Sequence, residues 1–144
     1  MMSADELREL TNAPLLVHEN DAEMLSDGRK NAYAFFFGKD MTVKNADRLL
    51  NDHDTVLLGN EKIEIISTPG HSKGSICLLC GKDMITGDTL FADGYGRCDL
   101  WGGNYGTLKR SLELLREYDP SIKIYPGHGN SANLSFALDN TLYI

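Results

Sequence analysis

Positive charge, cysteine and long apolar runs are all in short supply in this sequence. Its 144 residues hold 14 lysines and arginines against 21 aspartates and glutamates, a formal net charge of −7 with no basic stripe, so nucleic acid is not an expected partner. The longest apolar stretches, Phe35-Phe36-Phe37 and Ile76 to Cys80, fall far short of the ~18 residues a membrane helix needs, so no membrane partner is expected either. The opening Met-Met-Ser-Ala-Asp-Glu lacks the basic-then-apolar order of a secretory signal, and a cytoplasmic location is the expectation. Three cysteines (Cys77, Cys80 and Cys98) are an odd number, which argues against a disulfide framework and for a reducing compartment. Internal repeats and low-complexity tracts are absent. With 42% hydrophobic and 24% charged residues, the composition is that of a globular chain, and the length suits a single domain over 1–144.

Hydrophobic periodicity and turn residues give a coarse order of elements. Ser3 and Glu6 have capping-box spacing ahead of Leu7 and Leu10, which predicts a helix from the first residues. Pro14 to His18 reads as a short buried strand, and Asn20 with Glu23 repeats the capping spacing before Ala22, Met24 and Leu25. The stretch from Ala32 to Asp47 reads as loop with local helix. Thr55 to Leu58, Lys62 to Ser67, Ser75 to Cys80 and Met84 to Thr86 then read as a meander, with turns at Gly59-Asn60 and Gly81-Lys82-Asp83. Asp93 to Gly106 is a glycine-rich loop, and a connection of that length is more often functional than idle. Thr107 is placed to cap an amphipathic helix carrying Leu108, Leu112 and Leu115, which ends before Asp119-Pro120. Ile122 to Tyr125 completes the strands, and Ser131 to Leu138 forms a last short helix.

Three loops stand out because each follows a predicted strand and presents a metal-ligating side chain among small residues. They are Thr68-Pro69-Gly70-His71-Ser72, Thr86-Gly87-Asp88-Thr89-Leu90-Phe91 and Tyr125-Pro126-Gly127-His128-Gly129. If their strands share a core, His71, Asp88 and His128 converge at one end of it. A carboxylate and two imidazoles suit Zn²⁺, with Fe or Mn²⁺ as further candidates. Taken singly, a Pro-Gly-His or Gly-Asp-Thr is usually a plain turn; the three in order carry the signal.

With Gly96-Arg97-Cys98-Asp99 as a fourth segment, the order and spacing of these motifs resemble the metallo-β-lactamase-fold hydrolases, and among them the glyoxalase II-like members. The resemblance covers nearly the whole chain. It implies an α+β fold, the αββα sandwich, with a metal site at one edge of the sheets. It implies His71 as ligand of one metal, Asp88 as the catalytic carboxylate bridging two, and His128 as ligand of the second. The activity implied is hydrolysis of a small-molecule ester or thioester through a metal-bridging hydroxide.

The family's His-x-His-x-Asp-His signature is absent, and His18 and His53 are single histidines without that spacing. The resemblance places the signature just upstream of Met1, so the expectation is an N-terminally incomplete domain, the C-terminal two-thirds of the usual fold. Asn140 to Ile144 resembles the family's closing segment. His71, Asp88 and His128 then give two protein ligands per ion, against the three usual for a catalytic zinc, so the chain alone can also be metal-free. Missing strands would leave apolar sheet surface and an unpaired edge, a reason for self-association into a homo-oligomer. Arg97, Asp99, Lys73 and Tyr95 are candidate substrate contacts, Arg97 and Asp99 equally a structural clasp, and Trp101 a candidate for the pocket mouth. Cys77 and Cys80, three apart on a strand, face opposite sides and cannot share one ion. The rival to a hydrolase is a non-catalytic remnant or partner-binding domain that keeps the turns without the chemistry.

Overall fold

A computed structural model describes residues 3–141, and the chain divides into two compact units, Met1–Asn51 and Asp52–Ile144. The end of the expected closing segment, 142–144, lies outside the described residues.

In the first unit, helix α1 (Ala4–Thr11) begins where expected but for a different reason. Ser3 is the N-cap residue, yet it lacks the extended backbone of a capping residue and its side chain makes no cap hydrogen bond. The expected apolar stripe is not buried: Leu7 and Leu10 are both exposed. Polar contacts tie the helix down instead. Arg8 donates to the carbonyls of Lys44 and Asn45 and to the Asp47 carboxylate, while Asp5 accepts from the Lys44 amide. Strand β1 (Leu16–His18) pairs in parallel with β2 (Arg48–Leu50), a three-residue strand too short to show alternation. The segment Glu19–Leu25 is a 3-10 helix whose cap is His18, not Asn20: the His18 ring nitrogen Nδ1 accepts from the Asn20 amide at 3.2 Å. The local helix expected after Ala32 is α2 (Tyr33–Phe37).

The second unit is built on the expected meander. Strands β3 (Thr55–Leu58), β4 (Glu61–Ser67), β5 (Ile76–Cys80) and β6 (Asp83–Gly87) pair antiparallel in sequence. The hairpin turns use Gly59 and Gly81 at φ +62° and +59°, left-handed values that glycine adopts without a Cβ clash. The next neighbour of β6 is parallel to it and so needs a long crossover. A short hairpin, β7 (Leu90–Phe91) and β8 (Gly94–Tyr95), and helix α3 (Tyr105–Leu115) supply that crossover, and β9 (Lys123–Pro126) follows. Strand β10 (Ala132–Asn133) pairs with β9 and takes the first residues of the expected last helix, so α4 spans only Leu134–Asp139. The sheet order is β10-β9-β6-β5-β4-β3.

Alternation along the strands fills one face of this sheet. Ile66, Cys77, Met84 and Ile124 join Leu108, Leu112 and Leu115 of α3 and Leu134, Ala137 and Leu138 of α4 in one buried cluster. The fold is thus mixed α+β, with helices layered on a sheet. On the opposite face the register aligns Ile65, Leu78, Ile85 and Tyr125 across four strands. Cys77 sits in the core and Cys80 outside that cluster, as their spacing requires. The cap of α3 lies three residues before the expected Thr107: the Asn104 side chain accepts from the Thr107 amide at 2.8 Å. Among the described residues no helix is long and apolar enough to cross a membrane.

Candidate metal centre

Strand direction brings the three loops together. β4 and β6 are two antiparallel steps apart and β9 is parallel to β6, so all three strands end at the same edge of the sheet. His71 follows β4, Asp88 follows β6 and His128 follows β9. Hydrogen bonds between the loops fix their relative height. Thr68 and Thr89, both fully buried, share a hydroxyl hydrogen bond of 2.9 Å that joins the first loop to the second. The Gly127 amide donates to the Gly87 carbonyl at 2.7 Å, joining the second to the third. Helix α3 holds the first loop from behind, since the Ser111 hydroxyl donates to the Pro69 carbonyl at 2.7 Å and the Asn104 amide to the Gly70 carbonyl at 2.8 Å. At Gly70, φ is +143° and any Cβ would overlap the backbone of Leu108, so glycine is required for that close approach.

Asp88 lies between the two imidazoles and turns one oxygen to each. His71 Nε2 is 3.6 Å from Asp88 Oδ2, and His128 Nε2 is 3.5 Å from Asp88 Oδ1. Both gaps are too long for a good hydrogen bond. They match the ~3.3 Å that separates two donors of one tetrahedral ion with bonds of about 2.0–2.1 Å. The other nitrogen of His71 supports the same assignment. Nδ1 is 2.7 Å from the Arg97 carbonyl, which can only accept, so Nδ1 carries a proton and Nε2 is the ring nitrogen turned towards the carboxylate. A cation seated between Nε2 and the carboxylate would be held by both. The donors therefore fit a carboxylate shared by two cations, with two protein donors for each. Among the described residues no group of three His, Cys, Asp or Glu side chains is arranged to hold one ion.

Glycines shape the floor of the site. A Cβ on Gly127 would overlap the Asp88 carboxylate, and one on Gly96 would overlap the Asp88 carbonyl and crowd His71 Nδ1. The Phe91 ring meets His128 edge-on, centroids 6.0 Å apart. Arg97 and Asp99 form the clasp: Nε and Nη2 donate to the two carboxylate oxygens, both at 2.7 Å. The bidentate guanidinium holds the Asp99 carboxyl down at about 2. Lys73 Nζ lies 4.8 Å from the centre of the Trp101 ring. Burial, and then the neighbouring Tyr105 hydroxyl, push the Tyr95 phenol upward. Of the other two histidines, His18 caps the 3-10 helix and His53 is exposed beside Asp52 and Glu64. Gly96, Gly127, Thr68, Thr89 and Phe91 all lie in the motifs that the sequence singles out, but the motifs do not record the contacts these residues make.

The sequence pattern of the metallo-beta-lactamase superfamily matches residues 1–128. The chain belongs to that superfamily. The probable metallo-hydrolase YqgX of Bacillus subtilis is 34% identical over 144 residues, 97% of this chain and 68% of that protein. Among solved structures, the BLEG-1 B3 metallo-beta-lactamase superposes with a TM-score of 0.90 at 27% identity, over 98% of this chain and 69% of that one. A protein crystallised in a di-iron-bound form, TTHA1623, gives 0.84 at 25% identity, over 99% and 70%. The chain spans about two thirds of the length of each of these three proteins.

Proposed function

We propose that this chain carries the Asp88-centred part of a metal-dependent hydrolase acting on thioesters or related esters. The carrying observation is Asp88, with one oxygen 3.6 Å from His71 Nε2 and the other 3.5 Å from His128 Nε2. Zinc, iron or manganese would be held by His71 and Asp88 on one side and by Asp88 and His128 on the other. Two cations bound there would supply a water of lowered pKa and an electrophile for the substrate carbonyl. The chain's own residues do the rest. Asp88 presents one oxygen to each histidine, and the buried Thr68 and Thr89 hydroxyls keep the loops in register. Lys73, steered by Trp101, and the Tyr95 phenol are the groups we assign to the substrate side, the former for a carboxylate on the acyl or thiol part. The resemblance to glyoxalase II-like enzymes supports a thioester; the metallo-hydrolase relative and the di-iron neighbour support hydrolysis at a metal pair.

The test is a panel of acyl thioesters, aryl esters and β-lactams assayed with the protein loaded with Zn²⁺, Fe²⁺ or Mn²⁺. Thioester turnover that falls at least about a thousandfold in Asp88→Ala is the expected result. A protein that binds metal but hydrolyses none of the panel refutes the hydrolase reading. The donor count, two for each ion, favours a second reading: a partner-binding domain that keeps the turns without catalysis. On that reading added Zn²⁺ leaves the melting temperature of the wild type, of His71→Ala and of His128→Ala equally unmoved.

A further inference from the structure

We propose that the Gly96–Asp99 turn is a positioning device for His71, in which the Arg97 carbonyl fixes the imidazole tautomer and the Arg97–Asp99 clasp fixes the carbonyl. The proposal builds on the metal reading of the site but stands on its own geometry. Arg97 reaches the ligand with its main chain and not with its charge. Its carbonyl accepts the Nδ1–H hydrogen bond at 2.7 Å, which leaves Nε2 as the ring nitrogen aimed at Asp88. Imidazole ligands are commonly oriented in this way by whatever accepts from their other nitrogen. The guanidinium and carboxylate that the sequence offered as substrate contacts are directed at each other, with both forks of Arg97 on both oxygens of Asp99.

Two further contacts confine the turn. Gly96 lies flush against the Asp88 carbonyl and His71 Nδ1, with no room for a side chain. On the far side Gly103 packs against the Cys98 carbonyl, where a Cβ would overlap it, and the Cys98 thiol lies 3.5 Å from the Gly96 carbonyl. The ion pair is solvent-exposed, its two side chains 46% and 66% accessible. Its contribution is therefore geometric: the bidentate pair closes over Cys98 and favours the turn in which the Arg97 carbonyl faces His71. Arg97 and Asp99 are positioning residues on this account, acting through His71.

The test uses the ¹⁵N-labelled full chain, stripped of metal with a chelator and held above pH 7.5, with imidazole tautomers read from two-bond ¹H–¹⁵N spectra. In the wild type His71 is expected as a single Nδ1–H tautomer. Asp99→Ala is expected to give averaged Nδ1 and Nε2 shifts, and the exchange R97D/D99R to restore the single tautomer. Zinc affinity, measured by competition with a chromophoric chelator, is expected to fall about 10–100-fold in Asp99→Ala and to recover in the exchange. Averaged shifts in the wild type overturn the proposal. So does an Asp99→Ala spectrum identical to the wild type, which is what a substrate contact or a merely structural pair would give. Gly96→Ala should disturb the same signal; Asp99→Ala keeps the test valid if that variant does not fold. A fixed tautomer in a wild type that takes up no zinc would support the positioning device and refute the metal reading separately.

Discussion

Asp88 turns one oxygen to each histidine, so in the proposed centre both halves depend on it and each histidine serves one half. Zinc-linked stabilisation should divide accordingly. His71→Ala and His128→Ala are each expected to reduce the zinc-induced rise in melting temperature, and Asp88→Ala to abolish it, as read by calorimetry with and without Zn²⁺. Equal, undiminished rises in all three variants would refute the shared carboxylate. Cys77 offers a second test, of the core beneath the site. Burial, only partly offset by hydrogen bonds from Thr68 and Thr89, pushes its thiol from an ordinary value of 9.0 up to about 11. Folding thus favours the protonated thiol, and that stabilisation is complete below about pH 8.5–9 and lost as pH rises to 11. Urea midpoints measured from pH 8 to 11 should converge between wild type and Cys77→Ala at the alkaline end; parallel curves would contradict the burial. That His71, Asp88 and His128 come together was legible in the sequence because each follows a glycine just past a strand end. The Arg97 carbonyl was not, because a main-chain acceptor has no letter of its own.

Among the elements, α3 joins the hydrophobic core to the site. Its apolar face was readable from the spacing of Leu108, Leu112 and Leu115, all buried. Its start was not, since Asn104 and Thr107 are both good capping types and only geometry decides between them. Asn104→Ala is expected to cost about 1 kcal/mol, while Thr107→Ala, at the third helical position, should be nearly neutral. Denaturant unfolding of the two variants checks this, and the reverse order would place the cap wrongly. Gly70→Ala should be far more damaging, because its Cβ would overlap Leu108 and force the His71 loop off the helix. The alternating strands β3 to β6 were readable for the same physical reason as α3. Short elements were not: β2 and β10 have three and two residues, too few for any period to show. The α1 stripe misled because Leu7 and Leu10 have helical spacing but stay exposed, the helix being held by Arg8 and Asp5 instead.

For the molecule as a whole, strand direction is what turns three unrelated turns into one site, and direction follows from the pairing order, which no local motif records. The same sheet ends in an edge strand, β3, on which Leu57 and Leu58 are 66% and 70% exposed. An uncharged, apolar edge invites pairing with another chain. Leu57→Lys with Leu58→Lys should therefore lower any concentration-dependent association seen by sedimentation; association unchanged by the two lysines would clear this edge. Asp88, His71 and His128 are proposed to form one centre for two cations. Metal content per chain, determined by elemental analysis on wild type and Asp88→Ala after identical purification and zinc loading, tests it most directly. Close to two ions per chain are expected in the wild type and almost none in Asp88→Ala. Metal-free wild type, or the same content in both proteins, would contradict it.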